Sequence, residues 1–145
     1  FFLCFAVPFL LMFPLFYWGL RTRRFGFVFR LKRVWARIIA HGSLLFPKIR
    51  YEKEPYALPK PCVVVGNHTS YLDIVFSVFY IDHTAVYMGK YELLKLPLFR
   101  NFFLYLDIPV NRRSLTDAHR AFTLAGKKLD QGLSQVIYPE GTISP

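Results

Sequence analysis

The first fifty residues contain no aspartate or glutamate. They hold nine lysines and arginines, whereas the rest of the chain holds ten basic and nine acidic residues. The formal charge of +10 is therefore almost entirely N-terminal. That distribution argues against a nucleic-acid partner, which would call for a basic surface on the folded domain. Cysteine is scarce too: Cys4 sits in an apolar run and Cys62 at the start of an expected strand. Two isolated thiols exclude a disulfide framework and supply no metal-ligand spacing. His41, His83 and His119 have no ligand-like neighbours either, so no metal is expected. Repeats and low-complexity segments are absent. The chain starts at Phe1 rather than Met and stops at Pro145, directly after a motif-like segment, so it is expected to be a fragment open at both ends.

Apolar residues, by contrast, are in excess. Hydrophobic residues make up 54% of the chain and aromatics 19%, more than a soluble domain of this length usually carries, so part of the surface is expected to face lipid. Residues 1–20 lack any charge and match the thickness of a bilayer's hydrocarbon core. Pro8 and Pro14 are expected to kink this helix, and Tyr17 and Trp18 fall where an interfacial aromatic belt would lie. Arg21, Arg23 and Arg24 follow immediately, which assigns that end and the remaining chain to the cytoplasmic side of the inner or endoplasmic membrane. A signal peptide would carry its basic residues before the apolar core, so the segment reads as an anchor.

Between Gly26 and His41, apolar residues recur at helical spacing and Arg30, Arg33 and Arg37 recur opposite them. Such a helix can pack on a core, but a basic face opposite Trp and Phe favours a position in the interface of a membrane with anionic headgroups. The expected organisation is an anchor over 1–47, a linker over 48–60 rich in proline, and a domain over 61–145. In that domain short β-branched runs alternate with helical stretches, which predicts an α/β fold: a largely parallel sheet with flanking helices, preceded by the helical anchor. Ligand sites in such sheets lie at the carboxyl ends of strands. Segments with chemical potential follow the expected strands ending at Val65, Val110 and Tyr138.

His68 leaves the first strand and Asp73 enters the next helix. A carboxylate on one ring nitrogen fixes the tautomer and leaves the other nitrogen free to accept a proton, as a general base requires. The spacing also has a plainer explanation: Ser70-x-x-Asp73 before an apolar run is a capping box, and His68 can bond to backbone as a loop residue. Spacing and position leave both open.

The stretch Asn67-His68-Thr69-Ser70-Tyr71-Leu72-Asp73 resembles the Asn-His-x-Ser-x-x-Asp motif of the glycerolphosphate and lysophosphatidate acyltransferase family. Two further blocks resemble that family in the right order. Residues 90–112 (KYELLKLPLFRNFFLYLDIPVNR) look like its second block, and Tyr138-Pro139-Glu140-Gly141-Thr142 like its third. The resemblance covers about residues 60–144 and implies direct acyl transfer, with His68 as base and Asp73 holding it. The acyl donor would be acyl-CoA or acyl carrier protein, with no further cofactor, and the acceptor a membrane lysophosphatidate-like lipid. It implies phosphate contacts from Arg112, supported by Lys90 and neighbouring Arg113, although a solvated surface charge is the plainer reading of Arg113, and acceptor contacts from Glu140, Gly141 and Thr142. An oxyanion would need donors, for which backbone N–H groups near the helix start or at Gly141 are candidates. One departure stands out: Ile143 occupies the family's usual arginine position, which puts the acceptor in doubt more than the reaction. Rival readings are another lysolipid acceptor, a membrane hydrolase with Ser70 as nucleophile, and a membrane-binding module without activity.

Overall fold

The structure is a computed structural model and describes residues 1–50 and 58–141. Two helices come first, α1 (Phe2–Arg21) and α2 (Phe25–Gly42). The remaining elements are β1 (Val63–Val65), α3 (Leu72–Tyr80), β2 (Ala85–Lys90), a short 3-10 helix (Tyr91–Lys95), α4 (Arg100–Tyr105), β3 (Ile108–Val110), α5 (Leu115–Asp130) and β4 (Ser134–Ile137). The expected α/β alternation is realised. Pro97 falls between the 3-10 helix and α4, where a ring without an N–H cannot continue a helical ladder. Pro8 and Pro14 do not interrupt α1 as a helical element.

All strand pairs are parallel, in the order β1-β4-β2-β3, so the last strand inserts between the first two. Ala85 and Tyr87 pack with Val78 of α3, with Ile81 just beyond that helix, and with Phe29 and Ala36 of α2. Val86, one residue out of phase, belongs to a cluster with Ala121 and Ala125 of α5, which puts α3 and α5 on opposite faces of the sheet. At the amino edge of the sheet, His83 bridges Asp82 Oδ1 (2.6 Å) and Ser134 Oγ (2.5 Å), while Ser134 Oγ accepts the Cys62 N–H at 2.9 Å. These bonds fasten the starts of β1 and β4 to the turn before β2.

The first helix is not a detached tether. Phe9, Phe16 and Leu20 of α1 are buried in the same core cluster as Phe102, Leu106 and Ile108, and Phe9 stacks on Phe99 with ring centroids 4.8 Å apart. Gly19 permits this approach, because a Cβ there would lie 2.9 Å from Val28. The opposite face of α1 exposes Leu3, Val7, Leu10, Leu11, Leu15 and Trp18. By length and composition α1 is able to cross a membrane.

The second helix departs from the expected all-basic outer face. Arg30 and Arg37 are exposed, but Arg33 turns inward, its Nε donating to the Val78 carbonyl at 2.9 Å and its Nη2 to the Ile81 carbonyl. Those carbonyls lie at the C-terminal end of α3, where helix geometry leaves acceptors without partners and favours a cation. Lys32 also turns inward and pairs with buried Asp107 at 3.2 Å. The i, i+3 spacing that put Arg33 with Arg30 could not distinguish a lipid-facing guanidinium from one capping a neighbouring helix.

Candidate active site

The parallel sheet brings the three sequence blocks to one edge. His68 follows β1, Glu140 and Gly141 follow β4, Lys90 ends β2, and Arg112 lies just beyond β3. Because β1 leads into α3 on one face and β4 is reached through α5 on the other, the carboxyl ends of these neighbouring strands form the kind of crevice in which open α/β sheets take ligands.

His68 is 9% exposed and held from three directions. Its Nδ1 lies 3.2 Å from Asp73 Oδ2. Its backbone N–H donates to Glu140 Oε2 at 3.3 Å, which ties the first block to the third. Its ring stacks on Tyr138 with centroids 4.6 Å apart and planes 27° from parallel. An Nδ1–H directed at the carboxylate leaves the Nε2 lone pair available to take a proton.

Asp73 sits in the first turn of α3, and its Oδ2 also accepts the backbone N–H groups of Thr69 and Ser70, each at 2.8 Å. Burial opposes ionisation of this carboxyl. Hydrogen bonds from Ser70, His68 and Thr69 outweigh it and hold the group below its ordinary value. Ser70 Oγ accepts the Leu72 N–H at 3.2 Å, a helix-start bond of the sort expected for that hydroxyl.

Several of the expected oxyanion donors are otherwise engaged. The N–H groups of Thr69 and Ser70 serve Asp73, those of Leu72 and Asp73 serve Ser70, and that of Gly141 serves the Tyr138 carbonyl at 3.1 Å. Sequence could not reveal this, since it follows from how tightly the loop closes on the carboxylate. Gly141 has φ of +71°, a conformation that favours glycine, and the Arg112 guanidinium lies over it, 3.2 Å from where a Cβ would be. Arg112 and Gly141 are thus brought together. Lys90 and Arg113 are exposed at the same edge, and Thr142 lies outside the described residues. The sequence reading gave no role to Tyr138, although an aromatic residue directly before Pro-Glu-Gly and a glycine, Gly66, at the end of the neighbouring strand were visible signals.

A sequence model of the Acyltransferase family matches residues 48–145. The chain belongs to this acyltransferase family. Among curated proteins it is similar to a 1-acyl-sn-glycerol-3-phosphate acyltransferase of Borreliella burgdorferi, with 29% identity over 107 residues. That alignment covers 73% of this chain and 39% of the relative, so the chain spans well under half the length of the protein it matches. No solved structure matches the chain significantly. Family membership agrees with the resemblance drawn from the three sequence blocks, all of which fall inside the matched region.

Proposed function

We propose that the protein transfers a fatty acyl group from acyl-CoA or acyl carrier protein to the free hydroxyl of a lysophosphatidate-like lipid, forming phosphatidate. The observation that carries this reading is the approach of Asp73 Oδ2 to His68 Nδ1 within the family-matched region. In the proposed reaction His68 Nε2 takes the proton of the acceptor hydroxyl as its oxygen attacks the thioester carbonyl carbon. Asp73 holds the imidazole and stabilises its charge. The tetrahedral oxyanion collapses, the C–S bond breaks, and the departing thiolate recovers the proton from His68. The products are an ester and a free thiol.

Arg112, with Lys90 at the same sheet edge, is assigned to the acceptor phosphate, for which a guanidinium offers a two-point contact. Glu140, Gly141 and Thr142 are assigned to the rest of the acceptor. The reaction is proposed to occur at the cytoplasmic face of a membrane with anionic headgroups. The exposed apolar face of α1 and the acid-free basic segment 1–50 support that location. Ile143, in place of the family's usual arginine, supports a second acceptor reading in which another lysolipid is preferred.

The test is acyl transfer by the complete protein in detergent, with labelled acyl-CoA and acyl carrier protein donors and a panel of lysolipids. His68→Ala and Asp73→Asn should each lower the rate by roughly 10²- to 10⁴-fold, the range of general-base contributions. Ser70→Ala should cause only partial loss, with no burst of covalent acyl-enzyme. Full rates in both His68 and Asp73 variants would overturn the mechanism. A covalent acyl group on Ser70 would establish the hydrolase reading instead.

A further inference from the structure

We propose that Tyr138 is a positioning residue: its ring is the platform that fixes the plane of the His68 imidazole and so aims Nε2. The proposal rests on the reading of His68 as the general base. A hydrogen bond at Nδ1 holds the imidazole at one point, and at 3.2 Å this one lies at the long end of the normal range. Such a bond leaves the ring free to rock about the line through Nδ1, which would swing Nε2 away from the acceptor hydroxyl. A ring stacked on the imidazole face at 4.6 Å removes that freedom. Bond and stack together define the direction of the Nε2 lone pair, which neither does alone.

Tyr138 can serve in this way because it is itself held. It directly follows β4, and its Cε1 lies 3.4 Å from where a Cβ on Gly66 would be, so the absence of a side chain at the end of β1 leaves room for the ring. Its hydroxyl is buried beside that of Tyr80 in α3, though without a hydrogen bond of normal geometry. The platform is thus framed by the elements that deliver His68, Asp73 and Glu140. Burial, followed by the neighbouring Tyr80, Tyr87 and Asp73, pushes the phenol above its ordinary value. A phenol held neutral does not compete for the proton His68 takes, which favours orientation over acid–base exchange as its role.

The test compares Tyr138→Phe, Tyr138→Leu and Tyr138→Met in the complete protein in detergent. Positioning errors of about 1 Å cost on the order of 100-fold, so the folded Leu and Met variants should lose roughly 10- to 100-fold in kcat with KM changed less than about twofold. They should also move the acid limb of the kcat/KM profile, which a packing role would leave in place. Phe keeps the ring and should retain kcat to within about threefold. In the wild type, the His68 ring protons should show an upfield ring-current shift in the NMR spectrum. That shift should persist in Tyr138→Phe and vanish in any folded Leu or Met variant.

Wild-type kcat and pH profile in a folded Leu or Met variant would overturn the proposal. So would equal loss in all three variants, which would assign the effect to the hydroxyl. A wild-type spectrum without the upfield shift would do so even if Leu and Met failed to fold. Absence of acyl transfer in the wild type, or full activity in His68→Ala, would instead defeat the proposed function, while the spectrum would still report on the stack.

Discussion

The backbone N–H of Ser70 donates to Asp73 Oδ2 at 2.8 Å, and this is the same oxygen that His68 Nδ1 approaches at 3.2 Å. The capping and dyad explanations of Asp73 are therefore compatible, because one oxygen closes the loop and faces the imidazole. Removal of the carboxylate should affect stability and turnover separately. Asp73→Ala leaves backbone donors without their acceptor and should cost about 1–3 kcal/mol in denaturant unfolding. Asp73→Asn retains an acceptor oxygen and should cost less than Asp73→Ala, yet lower acyl transfer about as severely. An Asn variant that is fully active would sever the link between the two roles.

The pH dependence of stability has a definite sign. The Asp73 carboxyl lies below its ordinary value of 3.8 in the folded protein, so its contribution is complete above that value and is lost as pH falls through the lower folded one. Asp82 acts in the same direction. Lys60 and then His83 lower it to about 2, but its side chain is 48% exposed and solvent screening weakens its contribution. Melting temperatures measured from pH 5 downward should fall in the wild type and fall less steeply in Asp73→Asn. Parallel curves would contradict the hydrogen-bonded state of Asp73.

Arg33 couples α2 to the helix that begins next to Asp73. Arg33→Ala strands two carbonyls at the C-terminal end of α3 and should destabilise the fold by about 1–3 kcal/mol. Arg33→Lys should recover only part of this, since an ammonium cannot reproduce the two-point fork. Chemical denaturation of the two variants would separate charge from geometry, and equal stabilities for Lys and wild type would count against the fork.

Lys32 and Asp107 test a different contact. Asp107 is buried, accepts the Tyr87 N–H at 3.0 Å and pairs with Lys32. Loss of one partner from a buried pair typically costs several kcal/mol. Lys128 lies close enough to Asp107 to feel its charge, although burial is the larger influence and lowers the lysine's pKa. It should offset part of the loss, so Lys32→Ala is expected to cost about 2–3 kcal/mol and the Lys32→Ala/Lys128→Ala double variant more than the sum of the singles. Additive losses in a thermal unfolding series would exclude that compensation.

The two faces of α1 should respond differently to substitution. Phe9→Ala opens a cavity in the shared core and should cost about 3–5 kcal/mol. Leu11→Lys lies on the exposed face and should leave folding almost unchanged while weakening sedimentation with anionic lipid vesicles. Unchanged vesicle binding by Leu11→Lys would argue that this face does not meet lipid.

Much of the fold was readable because its signals are local. The β-branched runs at Val63–Val65 and Ile108–Val110 and the helical spacing from Leu115 onward each reflect the chain's own periodicity, and Pro97 marks its own interruption. His68 and Asp73 lie within one loop and helix turn, but their spacing alone left a capping role open, and the resemblance of three ordered blocks singled them out as candidates. What sequence could not supply depends on other elements. The inward turn of Arg33 requires α3 to end beside it, the engaged N–H groups around Asp73 depend on a tight loop, and the His68–Tyr138 stack requires β4 to lie next to β1. Thr142 and Ile143 fall outside the described residues.

The strand order has a consequence for the timing of folding. His68 and Glu140 are 72 residues apart in sequence, and among the described residues β1 meets the sheet only through β4. On a chain emerging from the ribosome, the early Asn67–Asp73 loop must wait for β4 before it gains its stacked ring and its link to Glu140. Pairings at such separation carry a large loop-closure cost and form late. Until then Val63–Val65 remains an unpaired apolar segment, an open edge available to other chains.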